Sequence, residues 1–569
     1  MLIIPAEDFP SRDEAALVAF LERCKSEAQR KGSPYFGSIT VETNFVDPLA
    51  ILETISEAGN PLWYVERPSE EFALACGEAV AYQEFPGHAR FSEARCFAAE
   101  VFSRTIATGD LAPGGAGPTF ALAATFEENN DAHGDHPAPL AVFMPRWQVL
   151  RKGGRHYAIA NAKIEPDSNL HEIAQGIWAA HAKLTHFRNQ TEIPNFVQLP
   201  KPILSPHREQ NDYEEIVAKA LDLLDAESFD KIVLSRKITF DSDRSLSPFA
   251  LAYQLRERFP DCHTFCLGDR RPGMLVGATP ENLLRVEGDQ IETEALAGTT
   301  ARGGNAGTDA QLGQALLDSE KEGREHRLVV ESIIRRLQAL GLRHCEEGRP
   351  RLLRLSNLQH VRTPLRASLS KNLHPLDILA ELHPTPAIGG SPRESALPHL
   401  RELEGFSRDW YSGVAGWFDH EGEGEFVVPL RCGHLNDKQV ALYAGSGIVK
   451  GSDPVSEKLE TDLKLAPCLN RFNAPDTKYP HERIEFNQRP GHSSLGHDFG
   501  PHALGHRRSI RGFFSRFAIH TFDSSLRSMQ GVGDASHTRR ALRRFLRNRP
   551  SQDVKETRCS RLHFGHGSS

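Results

Sequence analysis

Gly277-Ala278-Thr279-Pro280-Glu281, followed shortly by Glu294-Ala295-Leu296-Ala297-Gly298-Thr299, is the stretch on which the reading of this chain turns. A turn of small residues delivers one carboxylate, and a second glycine turn carrying a hydroxyl lies close behind. Acid–base chemistry on a small oxygenated ligand needs a positioned proton donor and backbone that can approach the ligand closely. Outward from this stretch, helix and strand signals alternate. Tyr213, Ile216, Val217, Ala220 and Leu224 fall at helical spacing. Ile232-Val233-Leu234 reads as a buried strand, with further strands near Leu275, Val427 and Leu442. Helices are expected over Asp318–Leu337 and Ser456–Leu465. The pattern predicts an α+β domain with a large sheet system over residues 206–467.

Residues 1–205 read as a mixed α/β part of the same fold. Helical stretches are Glu14–Lys25 and Asn169–Phe187, and strand-like pieces are Pro61–Val65 and Leu140–Met144. Residues 468–569 differ in character. From Asn470 onward 18 Lys and Arg stand against 8 Asp and Glu, while the whole chain carries a net charge of −8. Arg539–Arg547 is basic enough for a short helix on nucleic acid. The segment as a whole lacks apolar periodicity and reads as a disordered extension. The acidic body argues against nucleic-acid binding.

No run of about 18 apolar residues is present, so no membrane-spanning helix is expected. The start, Met1-Leu2-Ile3-Ile4-Pro5-Ala6-Glu7-Asp8, does not resemble a secretory signal. Nine cysteines at scattered spacings suit a reducing, cytoplasmic location. Cys262-His263-Thr264-Phe265-Cys266 has no second Cys/His pair at zinc spacing, and its alternation predicts a buried strand.

Several other residues carry chemistry. Lys231 opens Lys231-Ile232-Val233-Leu234-Ser235-Arg236. A lysine there is ordinarily a solvated strand end, but burial near a second cation would make it a general base. Glu322 and Glu325 are three apart in Ser319-Glu320-Lys321-Glu322-Gly323-Arg324-Glu325-His326 and share a helix face. Val329, Val330, Ile333 and Leu337 continue that helix as an apolar stripe. Glu457 and Glu460 repeat the spacing in a second helix. Either pair alone is ordinary on a solvated helix. Facing each other, the two would make an all-oxygen site for Mg²⁺ with room for water and a substrate carboxylate. Arg431, after Phe426-Val427-Val428-Pro429-Leu430, can grip a carboxylate with two hydrogen bonds. Lys464 follows Glu460 by four on the same face. Gly445 and Gly447 let backbone N–H groups approach an anion. Tyr411 and Thr299 offer hydroxyls.

In this order and with these neighbours, the motifs resemble the chorismate-utilising enzyme family over about Asn211 to Leu465. The resemblance implies an α+β fold in which large packed β-sheets flanked by helices surround a deep central active site, and the following roles. Lys231 activates water, where ammonia-using members commonly have glutamine. Glu281 protonates the departing hydroxyl. Glu325 and Glu460 ligate Mg²⁺ directly, and Glu322 and Glu457 act through water. His360, in Leu358-Gln359-His360-Val361-Arg362-Thr363, and Thr385, in His383-Pro384-Thr385-Pro386, belong to segments similar to the family's pocket walls. With Thr299, Tyr411, Arg431, Gly445, Gly447 and Lys464 they would bind substrate. Ala295 stands where aminating and salicylate-forming members more often have proline. This implies an isomerase that adds water at C2 of chorismate as the C4 hydroxyl leaves, feeding menaquinone synthesis. Salicylate formation, a siderophore-pathway role and a non-catalytic chorismate-binding protein are the alternatives. The expected partner is chorismate, with no nucleic acid, no membrane and a monomer or weak homo-oligomer.

Overall fold

Lys231–Ser242 is the strand around which the site is arranged. In the computed structural model it pairs antiparallel along its length with Gln439–Val449, matching Lys231 to Val449 and Ser235 to Gly445. On its other edge Gly390–Ser391 meets Lys231 and Ile232, and Leu204–Glu209 covers the far half. Lys231 is therefore enclosed by strands on both sides and is 1% exposed. It is not the solvated strand end that its position ordinarily implies.

The structure describes residues 1–4, 14–44, 46–129, 136–187, 201–370 and 372–472. All of them lie within one compact unit, Met1–Ile484. The extension beyond 472, with its basic Arg539–Arg547 run, lies outside the described residues. The described strands join into a single 22-stranded sheet system. Strands of the first 205 residues enter it beside later ones. Leu62–Arg67 pairs with His263–Gly268, and Thr119–Ala124 pairs with Val414–Asp419. The α+β architecture is as the sequence predicts.

Two further ladders bring the remaining motifs inward. Gln290–Ala301 pairs with Leu358–Ser368, with a register shift between Ala297 and Thr299. The shift coincides with Gly298 at φ 80°, a backbone state that suits glycine. It leaves Thr299 opposite His360. Asn282–Glu287 pairs with Gly424–Val427. Just before it, the Glu281 carbonyl accepts from the Val428 amide, so the turn that holds Glu281 is stitched to the segment leading to Arg431. The segment at Cys262 forms the strand His263–Gly268 with Cys262, His263 and Cys266 buried, as its alternation predicts. His263 Nε2 lies 3.1 Å from Glu425 Oε1.

The two glutamate helices are capped at their starts. Ser319 accepts from the Glu322 amide at the head of Glu320–Ala339. Asp453 accepts from the Ser456 amide at the head of Pro454–Leu469, where Pro454 occupies the first turn. The first helix buries Val329, Val330, Ile333 and Leu337, the stripe its sequence displays. Full burial of each such side chain is worth about 1.5–3 kcal/mol.

The second helix runs past its expected end at Leu465 and past the expected domain boundary at 467. Pro467 sits inside it, and the carbonyl its missing N–H would have engaged, that of Leu463, accepts from Asn357 Nδ2 at 3.3 Å. Cys468, Leu469 and Phe472 are buried against Leu255, Phe259 and Leu465 in one apolar cluster. The packed core therefore extends at least to Phe472. Among the described residues no helix is long and apolar enough to cross a membrane.

Candidate active site

One pocket collects nearly all of the residues singled out above. Its wall includes Glu281, Thr299, Glu322, Glu325, His360, Tyr411, Arg431, Gly445, Gly447, Glu457, Glu460 and Lys464. Lys231 stands behind this wall, with Nζ 2.7 Å from Glu325 Oε1. Its stem lies against Gly447, where an added Cβ would come 2.9 Å from Lys231 Cε and 2.5 Å from Glu325 Oε1. The neighbour is a carboxylate and not the second cation that the sequence argument required. Thr385 is not on the wall. It is buried, and its hydroxyl has no hydrogen-bond partner, while Ala387 and Ile388 of the same segment do line the pocket.

Glu281 is enclosed beside Glu294. Burial first, and the Glu294 carboxylate second, push its carboxyl up to about 8, against the opposing pull of Lys231, Lys464 and Arg431. At neutral pH it is mainly a protonated acid, ready to donate. Glu294 is itself fixed: it accepts from the Asn282 amide at 3.2 Å and pairs with Arg362.

Arg431 is almost wholly buried at φ 50°. A non-glycine residue in this region costs about 1–3 kcal/mol and persists only where its surroundings hold it. Here it turns the guanidinium into the pocket. One nitrogen, Nη2, contacts His360 Nε2, and the other, Nη1, has no partner. A buried, half-satisfied guanidinium is a carboxylate receptor. His360 is held well below its ordinary value by burial and then by Arg431 and Lys464, so it is neutral. Its Nδ1 lies 3.2 Å from Thr299 Oγ1. Thr299, His360 and Arg431 thus form a chain in which His360 accepts from the guanidinium and orients it. Tyr411 stacks on Tyr443 with centroids 5.1 Å apart.

The four glutamates line one pocket, and each helix brings its carboxylates against lysines. Lys321 Nζ is 3.1 Å from Glu457 Oε1 and 3.8 Å from Glu322 Oε1. Lys464 Nζ is 2.7 Å from Glu460 Oε1 and donates to the Gly445 carbonyl at 2.9 Å. Glu322 rises to about 7, through burial and then the nearby Glu325. Burial is the largest single effect on Glu325 and raises it, but Lys231, Lys464 and Lys321 together turn the net shift downward. Among the described residues no three His, Cys, Asp or Glu side chains converge as a ready-made ligand set.

Sequence reasoning passed over three elements of this site. Lys321 sits inside the quoted helix motif, but its partner Glu457 lies on another helix. Arg408 lines the pocket and is buried on Glu404 at 2.5 Å, on the Val233 carbonyl at 2.6 Å and on the Ile388 carbonyl at 2.8 Å. The spacing Glu404-x-x-x-Arg408 was visible, but nothing local placed it at a pocket. Glu294 was quoted only as part of the glycine turn.

Residues 19–473 match the family described as chorismate binding enzyme. The chain belongs to the chorismate-binding enzyme family. It is 33% identical over 460 residues to the salicylate biosynthesis isochorismate synthase of Pseudomonas aeruginosa, covering 81% of this chain and 94% of the relative. It is 37% identical over 264 residues to the isochorismate synthase EntC of Escherichia coli K12, covering 46% of this chain and 68% of that protein. Among solved structures, the menaquinone-specific isochorismate synthase MenF of Escherichia coli superposes with a TM-score of 0.62 at 26% identity. That match covers 79% of this chain and 99% of the other.

Proposed function

We propose that this member of the chorismate-binding family is an isochorismate synthase. The observation that carries the reading is Glu281, a buried carboxyl raised to about 8, enclosed in one site with Lys231, Arg431 and Lys464. An acid that stays protonated near neutral pH suits delivery of a proton to a leaving hydroxyl. The unpartnered Arg431 Nη1 suits a substrate carboxylate. In the proposed reaction, water adds at C2 of chorismate and loses a proton to the free amine of Lys231. The ring double bond shifts, and the C4 oxygen leaves as water with the proton from Glu281. Isochorismate and one water result. Lys231 is paired with Glu325 in the resting structure, so its service as a base needs the free amine and the release of that carboxylate.

We further propose Mg²⁺ as cofactor. The donor set suits it: Glu322, Glu325, Glu457 and Glu460 give hard anionic oxygens on one wall, with a lysine ammonium standing in as a cation among them. Glu325 and Glu460 would hold the ion directly, and Glu322 and Glu457 would act through water. When bound, the ion supplies positive charge for a substrate carboxylate. Arg431, His360 and Thr299 orient the substrate independently of it.

The proposed physiological role is supply of isochorismate to menaquinone synthesis, supported by the match to the MenF structure over most of both chains. Supply to salicylate formation is the second reading, favoured by the Pseudomonas aeruginosa relative, whose similarity extends over 460 residues. Chromatography of products from chorismate, with and without Mg²⁺, tests the proposal. Isochorismate is expected, with Mg²⁺ dependence weakened in Glu325→Ala and Glu460→Ala. Salicylate with pyruvate as the direct products, or unconsumed chorismate, would overturn the assignment. Full activity in EDTA would remove the cation.

A further inference from the structure

Three lysines are set against the four pocket glutamates. Lys231 pairs with Glu325, Lys464 with Glu460, and Lys321 with Glu457 and Glu322. They are not equally free to move. Lys231 is 1% exposed and enclosed by strands. Lys464 is tied to the Gly445 carbonyl as well as to its glutamate. Lys321 is 34% exposed at its side chain, and both of its ion-pair partners, Glu457 and Glu322, are pocket carboxylates. Its flexible stem allows the ammonium to leave for water with no bond to the sheet broken.

Resting on the reading of this pocket as a Mg²⁺ site, we propose that Lys321 is the site's resident counter-ion: its ammonium bridges the two glutamate helices and must be displaced when a divalent cation binds. Without any cation, carboxylates from two helix ends crowd one pocket and repel each other. One ammonium between Glu322 and Glu457 offsets part of that repulsion. It also stands where added positive charge would be repelled. A divalent ion entering beside a retained Lys321 would meet an adjacent like charge, so exchange of the ammonium for the metal relieves both conflicts. Lys321 thereby sets how tightly the metal is held and keeps the helices together while the metal is absent.

The experiment is calorimetric titration of the full chain with MgCl2 alone, without chorismate, in wild type, Lys321→Met and Lys321→Gln. Thermal melts in EDTA and in excess MgCl2 accompany it. Removal of the charge is expected to tighten Mg²⁺ binding by roughly two- to fivefold, the scale of one partly exposed ion pair. It is also expected to lower Tm in EDTA and to enlarge the Tm gain on adding Mg²⁺. Lys321→Gln keeps a polar side chain of similar length and decides the matter if Lys321→Met does not fold. Unchanged or weaker Mg²⁺ binding in the folded variant overturns the proposal. If wild type binds Mg²⁺, Glu460→Ala weakens that binding and the Lys321 variants do not differ, the counter-ion idea alone falls. If wild type binds no Mg²⁺, the cofactor reading falls with it.

Discussion

Glu281 and Glu294 divide the work of two carboxylates by their surroundings. Both are buried, but Glu294 carries Arg362 and an amide donor, whereas Glu281 faces Glu294. Because the Glu281 carboxyl is raised, its donor form prevails below about pH 8 and is lost above it. Turnover that uses this proton should therefore fall as pH rises through about 8. Glu294→Gln removes the second cause of the rise and leaves burial, Lys231, Lys464 and Arg431 in place. The alkaline limb of the kcat profile should then move to lower pH, and an unmoved limb would show that Glu294 does not tune the acid. Glu281→Gln should bind chorismate and not turn it over. If affinity and rate fall together, Glu281 is holding structure instead.

Lys231→Ala should lower turnover by about 10²–10⁴-fold, the usual scale for loss of a general base. It should also destabilise the protein, because Glu325 is left buried without its partner, a change that typically costs about 3–5 kcal/mol. The pair Lys231→Met with Glu325→Gln should recover most of the Tm and none of the activity. Recovery of both would mean that Lys231 serves only as a counter-ion.

At the scale of elements, the site is assembled where strand ends meet helix starts. The strand Gln439–Val449 brings Gly445 and Gly447 against Lys231–Ser242, and the capped helices bring their glutamates to the same wall. Gly447 is the tightest seam. Its backbone is not in the left-handed region, so alanine suits the strand conformation and fails only on space, with its Cβ driven into Glu325 and Lys231. Gly447→Ala should fold with nearly native far-ultraviolet circular dichroism and lose at least about tenfold in turnover. Wild-type kinetics would show that the pocket yields there at no cost. The helices themselves were legible in sequence, because Glu322/Glu325 and the Val329–Leu337 stripe recur at a period that one turn of helix dictates. Lys321–Glu457 and Arg408–Val233 were not. Their partners lie 136 and 175 positions apart, and no local period relates them.

At the scale of the molecule, the N-terminal strands are part of the sheet system that carries the site. The helix bearing Glu457, Glu460 and Lys464 anchors the end of the described chain. A chain ending at Pro467 loses Cys468, Leu469 and Phe472 from the core. Its Tm should fall by several degrees, whereas a chain ending at Phe472 should keep wild-type Tm and activity. Equal melting of the two truncations would show that the last turn contributes nothing. Lost activity in the longer one would show that residues after 472 matter.

Composition and helical spacing were enough to predict an α+β fold and the two glutamate pairs, because each depends on neighbours within a turn or a strand, whereas the acid role of Glu281 and the base role of Lys231 were implied only by the resemblance of their motifs to a known family. The tertiary structure decided the rest. It put a carboxylate beside Lys231 where a cation was expected, set His360 to orient Arg431, took Thr385 off the pocket wall and carried the core past Pro467. These outcomes depend on which distant segments share a buried space, and burial and charge acquire their strength only once that space has closed.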